Sequence, residues 1–243
     1  MRLTAPLAAI ALTLVLAACR APREGASTAT VASASHAGDS AHRQSTTSAG
    51  TIAMPDSSPQ LIRADSGRIR GSSAATVWLV MASDFQCPYC KMWHDESFAA
   101  IVRDYVATGK IRMAYVNLPL ESIHKHAREA AEAAMCASVQ GRFWEMHDAL
   151  FASQDAWHEL PDARPTFDSL ATSNVKDIAA WRSCTATHAT ASLIDADRDR
   201  LSRAGVQSTP TFFIGGQKIE GAAKLDVFRQ AIEKALAAPA PAH

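Results

Sequence analysis

The sequence lacks a net charge and lacks any run of basic residues. Lys and Arg together number 24 in 243 residues, and Asp and Glu together also number 24. A nucleic-acid-binding face needs clustered positive charge to engage phosphates. The composition therefore argues against a nucleic-acid partner, while 48% apolar residues are sufficient for a packed core.

The sequence also lacks an apolar run long enough to form a membrane-spanning helix, which needs about 20 apolar residues. The longest apolar stretch lies near the N-terminus, after Arg2, and ends at Leu16-Ala17-Ala18-Cys19. This pattern is typical of a secretory signal, and its last four residues resemble the bacterial lipobox, whose Cys is acylated and becomes the mature N-terminus. We therefore expect a lipoprotein signal peptide over residues 1–18 and a lipid on Cys19. The alternative is an ordinary secretory signal with a chance Cys.

Residues 19–58 contain hardly any aromatic or long aliphatic side chains and consist mainly of Ala, Ser, Thr, Gly and His. Such a segment buries too little apolar surface to offset its ordering entropy. It is predicted to be a flexible, lipid-anchored linker, in which His36 and His42 are solvated rather than metal ligands. In some Gram-negative bacteria, an Asp after the acylated Cys retains a lipoprotein in the inner membrane. Arg20 occupies that position here, which slightly favours the outer membrane.

Alternating secondary structure is predicted from about residue 76. The apolar run 76–81 suits a buried strand, a helical pattern follows it as far as Gly109, and residues 111–118 form a second strand. Residues 121–204 show mainly helical spacing. Residues 211–214 and 217–219 then predict a hairpin around Gly-Gly, and residues 225–236 a closing amphipathic helix.

The motif Cys87-Pro88-Tyr89-Cys90 lies between the first strand and its helix. Helical spacing brings the two sulfurs to one face, where they can close a small disulfide ring. Pro88 suits the first helical turn, and the free amides and dipole of a helix N-terminus lower the pKa of the Cys87 thiol. The alternatives are a purely structural disulfide and a metal site completed by His94, although no second C-x-x-C or paired His motif follows.

The order of motifs resembles the DsbA-like group, which has a thioredoxin fold with an inserted α-helical domain. The resemblance covers residues from about 75 to 236. It is carried by D-F-Q-C-P-Y-C at 84–90, L-P-L at 118–120, Q-G-R-F-W at 140–144, H-D-A-L-F at 147–151 and G-V-Q-S-T-P-T-F-F-I at 205–214. It implies an α/β domain over residues 59–240 with a helical insertion at about 121–204.

The resemblance also implies the roles of the site residues. Cys87 and Cys90 would be catalytic, and the Pro88-Tyr89 dipeptide would lie between them at the active site. Thr209 and Pro210 would form a cis-proline wall beside the sulfurs, against which a substrate peptide lies. DsbA carries a carboxylate six residues before its first redox Cys, where this chain has Met81, while Asp84 lies nearer. Proton handling at Cys90 is therefore expected to differ.

The remaining cysteines are assigned by subtraction. With Cys19 given to lipid and Cys87 with Cys90 to redox work, Cys136 and Cys184 remain as an even pair in an exported protein. A structural disulfide between them is expected, and two buried free thiols are the alternative. Other side chains have ordinary roles: the histidines at positions 124, 126 and 147 are expected to be surface or capping groups, and Phe143, Trp144 and Phe151 core residues.

The function implied by the resemblance is the oxidation of cysteine pairs in reduced or unfolded exported proteins, with no cofactor beyond the Cys87–Cys90 disulfide. Regeneration would require a quinone-linked membrane partner of the DsbB or vitamin K epoxide reductase type. A monomer is expected, because no dimerisation domain precedes the fold. The alternatives are a tethered reductase or isomerase, and a periplasmic metallochaperone that uses Cys87, Cys90 and His94.

Overall fold

The computed structural model describes residues 58–238, and its centre is a five-stranded mixed sheet. The strand order is β1-β3-β2-β4-β5, in which β2 and β3 are parallel and the other neighbours antiparallel. The strands are β1 Ile69–Arg70, β2 Val77–Ser83, β3 Ile111–Asn117, β4 Thr211–Ile214 and β5 Gln217–Glu220. The predicted thioredoxin-like fold is confirmed.

The hairpin β4–β5 turns at Gly215 and Gly216, whose φ values are 52° and 82°. A two-residue loop with positive φ at both positions matches the right-handed twist of the strands that it joins. Glycine adopts these angles without a Cβ clash, so the Gly-Gly pair determines this turn.

The helix that follows β2 begins at the predicted motif and changes its winding along its length. The α-helical segments α2 Pro88–Trp93 and α3 Ala99–Ile101 alternate with the π-helical segments His94–Phe98 and Val102–Val106. Trp93 lies at the centre of the packing, with its ring centroid 4.7 Å from that of Phe212 on β4. This contact fixes the helix on one face of the sheet.

Helices alone connect β3 to β4, as the spacing of apolar residues predicted. They are α4 Ala127–Ser138, α5 Phe143–Ala152, α6 Gln154–Trp157, α7 Arg164–Asn174, α8 Ile178–Ala186 and α9 Ala191–Arg203. The final helix, α10 Leu225–Ala237, closes the chain against the sheet and places Phe228 on Phe212 at 4.7 Å. A disulfide joins Cys136 on α4 to Cys184 on α8, with a Cα–Cα distance of 5.8 Å, and both cysteines are buried.

The first helix, α1 Pro59–Gly67, and the short edge strand β1 were not predicted from the sequence. Immediately after α1, the buried Arg68 forms an ion pair with Asp197 on α9. The Asp197 carboxylate also accepts hydrogen bonds from the backbone and side-chain amides of Asn117, each at 3.0 Å. This buried network fastens α1 and α9 to β3.

One expectation about the histidines is wrong. His147 is not a surface or capping residue but is fully buried within an aromatic cluster. Its ring centroid lies 5.0 Å from that of Phe98 and 5.1 Å from those of Trp144 and Phe151. Phe143, Trp144 and Phe151 are buried in the same core, as predicted. His147 lies four residues from both Phe143 and Phe151 on α5, and its imidazole is therefore part of the apolar face of that helix.

No helix among residues 58–238 is long and apolar enough to cross a membrane. The signal peptide, the lipidated Cys19 and the linker to residue 57 lie outside the described residues.

Candidate active site

Cys87 lies at the N-terminal end of α2, as the residue that caps the helix. A tight turn delivers it there from β2: the Cys87 amide donates to the Asp84 carbonyl at 3.1 Å, and the Gln86 amide donates to Asp84 Oδ1 at 2.8 Å. Pro88 occupies the first turn of the helix, where no backbone donor is required. The amides of this first turn therefore face the sulfur of Cys87.

The local groups lower the pKa of Cys87 from 9.0 to about 6. The largest contribution is a hydrogen bond from the thiol of Cys90, and burial opposes it. The hydroxyl of Thr209 and the amides of Tyr89 and Cys90 lower the pKa further. Cys87 is therefore a thiolate at neutral pH, and a thiolate is both the nucleophile and the better leaving group in disulfide exchange.

Cys90 has the opposite character. It is 1% exposed, and burial first, then its hydrogen bond to Cys87 and the Cys87 charge, raise the pKa of Cys90 well above its usual value. Both cysteines are free thiols in this structure. The pair thus consists of one charged sulfur, on a residue that is 4% exposed, and one protonated sulfur that is buried more deeply.

The loop before β4 forms the opposite wall of the site. The peptide bond between Thr209 and Pro210 is cis, and the Thr209 carbonyl oxygen lies 3.5 Å from Cys87 Sγ. The structure therefore brings the four residues Cys87, Cys90, Thr209 and Pro210 together. Their catalytic and substrate-binding roles stay predictions.

Asp84, the carboxylate that the sequence places near the redox pair, has partners that the sequence did not predict. Its side chain is fully buried, and Oδ2 accepts hydrogen bonds from the Leu120 amide at 2.9 Å and from His124 Nδ1 at 2.7 Å. The carboxylate of Asp84 raises the pKa of His124, as does the charge of Cys87. Asp84 and His124 together hold the turn before Cys87 against the loop after β3.

Two glutamines complete this frame. Gln86 donates to the carbonyl of His158 at 2.7 Å and accepts from the amide of His126 at 2.6 Å. Gln154 donates to the carbonyls of Phe85 and Cys87 at 2.7 and 3.1 Å. The helical insertion thereby anchors the backbone that leads into the redox motif.

The surface around the pair is apolar and exposed. Tyr89 is 59% exposed and Met92 is 43% exposed, whereas Trp93 is buried in the core. Solvent-facing side chains of this size next to a reactive thiolate can contact an unfolded chain.

The described residues contain one cluster with metal-ligating side chains, formed by His94, His147 and Asp148. Its ligand atoms lie within 4.8 Å of one another, but each imidazole already has the Asp148 carboxylate as partner, at 3.4 Å from His94 Nε2 and 2.7 Å from His147 Nδ1. The other ring nitrogen of His94 faces Asp95 at 3.0 Å. The ring of His94 is thus committed to carboxylates, and the alternative metal site with Cys87 and Cys90 is not assembled.

Comparisons with known proteins agree with this geometry. Residues 63–234 match the family model described as thioredoxin. Disulfide bond formation protein D of Bacillus subtilis is 24% identical over 169 residues, which cover 69% of this chain and 76% of that protein. Na(+)/H(+) antiporter NhaA 3 of Salinispora tropica is 35% identical over 175 residues, which cover 71% of this chain but only 25% of the antiporter.

Solved structures show the same relationship. BdbD from Bacillus subtilis, in its oxidised form, superposes with a TM-score of 0.65 and 26% identity, covering 70% of this chain and 93% of BdbD. Wolbachia pipientis α-DsbA1, at 24% identity and a TM-score of 0.61, shares the fold over 70% of this chain and 90% of its own. The chain therefore belongs to the thioredoxin family, and its fold with an inserted helical domain is similar to that of DsbA proteins.

Proposed function

We propose that this protein oxidises cysteine pairs in exported proteins by passing on a disulfide between Cys87 and Cys90. The observation that carries the proposal is the asymmetry of the two sulfurs, with the pKa of Cys87 lowered to about 6 and that of Cys90 raised. Groups that stabilise a thiolate in the reduced protein favour the reduced state, so the disulfide is readily given away.

The reaction follows from the positions of the sulfurs. A client thiolate attacks Cys87 Sγ, the S–S bond to Cys90 breaks, and Cys90 leaves as a thiolate that takes up a proton. A second client thiolate then attacks the client sulfur of the mixed disulfide and releases Cys87 as a thiolate. The client loses two electrons and the protein gains them, which leaves Cys87 charged and Cys90 protonated.

The cis-proline loop and the exposed apolar side chains suit an extended client segment. We propose that the client lies between Tyr89 on one side and Thr209 and Pro210 on the other, with its sulfur against Cys87. Reduced or unfolded exported proteins fit this surface because they expose both apolar side chains and thiols. The electrons then pass to a quinone-linked membrane partner of the DsbB or vitamin K epoxide reductase type.

The proposal includes a location. Residues 1–18 act as a lipoprotein signal peptide, Cys19 carries the lipid, and the linker to residue 58 tethers a monomeric domain at the periplasmic side of a membrane, with the outer membrane favoured. Mass spectrometry of the protein purified from its host membrane tests this. Diacylglycerol on Cys19 supports the proposal, and an unmodified mature N-terminus contradicts it.

The activity is tested with reduced, unfolded ribonuclease as client, by following the recovery of ribonuclease activity in a glutathione buffer. Cys87→Ser should abolish catalysis, because the attacked sulfur is gone. Cys90→Ser should also lose the activity, because it cannot form the Cys87–Cys90 disulfide that the client thiolate attacks. A Cys87→Ser variant as active as the wild type would rule out the proposed mechanism.

A further inference from the structure

Two buried hydroxyl groups on the sheet face beneath the redox helix make no hydrogen bond of normal geometry within residues 58–238. They are Ser83 Oγ and Tyr115 Oη, and both residues are 1% exposed. A buried polar group without a partner is costly, and native structures keep such groups mainly where function uses them or where water binds. Both hydroxyls are therefore available to bond a group that gains charge during the reaction.

The sheet places both hydroxyls beneath the redox pair. Ser83 is the last residue of β2, just before the turn to Cys87, and Tyr115 on β3 is aligned with Met81. Met81 and Ser83 are two residues apart on one strand, so their side chains and that of Tyr115 share one face of the sheet. The same face carries Phe212, which contacts Trp93 of α2, so this is the face on which the helix bearing Cys90 packs.

Electrostatic coupling agrees with this placement. The Ser83 hydroxyl lowers the pKa of Cys90 against the effect of burial, and it also lowers the pKa of Tyr115. Burial first, and then the charge of Cys90, raise the pKa of Tyr115. The titratable groups that face Cys90 are thus Cys87 from its own helix and Tyr115 from β3, and Asp84 acts on it only through a backbone amide.

We propose that the hydroxyl of Ser83, backed by that of Tyr115, donates a hydrogen bond to the sulfur of Cys90 when the Cys87–Cys90 disulfide opens. This inference rests on the proposed function and specifies how its buried sulfur is stabilised. In the mixed disulfide, Cys87 is bonded to the client sulfur and no longer exchanges a hydrogen bond with Cys90. Ser83 is then the side chain placed to meet the new negative charge, as preorganised donors do at other reacting centres.

Ser83 thereby stabilises the sulfur of Cys90, a role that a carboxylate could also perform. Met81, on the same face, has no proton to give or take, whereas the serine hydroxyl can donate to the thiolate and turn to accept once Cys90 is protonated. Tyr115 is a positioning residue, because it acts on Cys90 through Ser83.

The test uses the reduced, purified protein and 5,5′-dithiobis(2-nitrobenzoate). The Cys87 thiolate attacks the reagent and releases one thionitrobenzoate. Cys90 then loses its proton to solvent, attacks the sulfur of Cys87, closes the disulfide and releases the second thionitrobenzoate. The two absorbance phases therefore report the two sulfurs separately, and the pH dependence of the second phase gives the titration of Cys90 in the mixed disulfide.

For Ser83→Ala, we expect the midpoint of the second phase to rise by about 1–2 pH units, the effect of losing a hydrogen bond to a charged group. The second phase should slow by roughly three- to tenfold at pH 7, because the thiolate fraction falls more than its nucleophilicity rises. Tyr115→Phe should shift the midpoint in the same direction by less. The first phase should stay within about twofold in both variants.

Ser97→Ala is the matched control, since Ser97 Oγ is equally buried and unpartnered within the described chain but lies two helical turns beyond Cys90. It should leave both phases unchanged. A Ser83→Ala second phase with the wild-type pH profile, or equal slowing of both phases, overturns the inference. Should Ser83→Ala fail to fold, an unchanged midpoint in Tyr115→Phe overturns it instead. A wild-type protein with no second phase would contradict the proposed function itself.

Discussion

Acidification should destabilise the reduced protein through Cys87 in particular. The pKa of Cys87 is lowered from 9.0 to about 6 in the folded protein, so the unfolded chain binds more protons between these values. Stability from this group is therefore fully present above pH 9 and is lost as the pH falls through 6. At about 1.36 kcal/mol per pKa unit, the contribution is roughly 2.7 kcal/mol at pH 8, roughly 1.4 kcal/mol at pH 7 and near zero at pH 5.

The assay is urea denaturation of the reduced protein at pH 5, 6, 7 and 8, beside Cys87→Ser under the same conditions. The variant retains the shifted pKa of Asp148, so the difference between the two curves reports Cys87 together with its charge interactions with His124 and Cys90. The wild-type advantage should grow by about 2.6 kcal/mol from pH 5 to pH 8. A difference that stays flat within about 0.5 kcal/mol would refute a stabilised thiolate at this position.

Three further predictions concern the scaffold. Replacing Cys136 and Cys184 together by Ala should lower the free energy of unfolding by about 4 kcal/mol, because their separation of 48 residues defines the closed loop; a loss below about 1 kcal/mol in urea denaturation would contradict this. Gly215→Ala should lower the melting temperature more than Gly216→Ala does, because a Cβ at position 215 would lie 2.5 Å from the side chain of Ala235 on α10, whereas a Cβ at position 216 would meet no atom within 4 Å. Equal losses in thermal unfolding would be inconsistent with this packing. Asp197→Ala should cost about 3 kcal/mol, because the buried Arg68 guanidinium keeps only the half-exposed Asp65 carboxylate and the Asn117 amides lose their acceptor; a loss under 1 kcal/mol would contradict that network.

The parts of the fold that the sequence predicts are those encoded by local patterns. The apolar run before Cys87, the proline at the helix start and the Gly-Gly turn each determine a conformation through the backbone preferences of a few adjacent residues. The order of these elements then resembles one known fold closely enough to predict the helical insertion. Helix α1 also has a local signal, because the Ser58 side chain accepts from the Leu61 amide at 3.3 Å and Pro59 follows it. The low-complexity composition up to residue 58 obscured that signal.

The features that the sequence could not predict depend on residues far apart in the chain. Asp84 has its partners at Leu120 and His124, and Ser83 lies under Cys90 only because β2 and α2 pack together. His147 has the spacing of a core position, but an imidazole on a helix suits a surface equally well until its aromatic neighbours are known. Strand β1 is two residues long and exists only through its pairing with β3.

The reduction potential of the Cys87–Cys90 pair, measured by equilibration with glutathione and with Cys87→Ser as control, tests the central claim most directly. Lowering the thiolate pKa stabilises the reduced state, and a tenfold change in that equilibrium corresponds to about 30 mV. The account predicts a potential well above thioredoxin's value of about −270 mV, towards DsbA's value of about −120 mV. A value at or below about −270 mV would contradict the oxidase and identify a reductase instead.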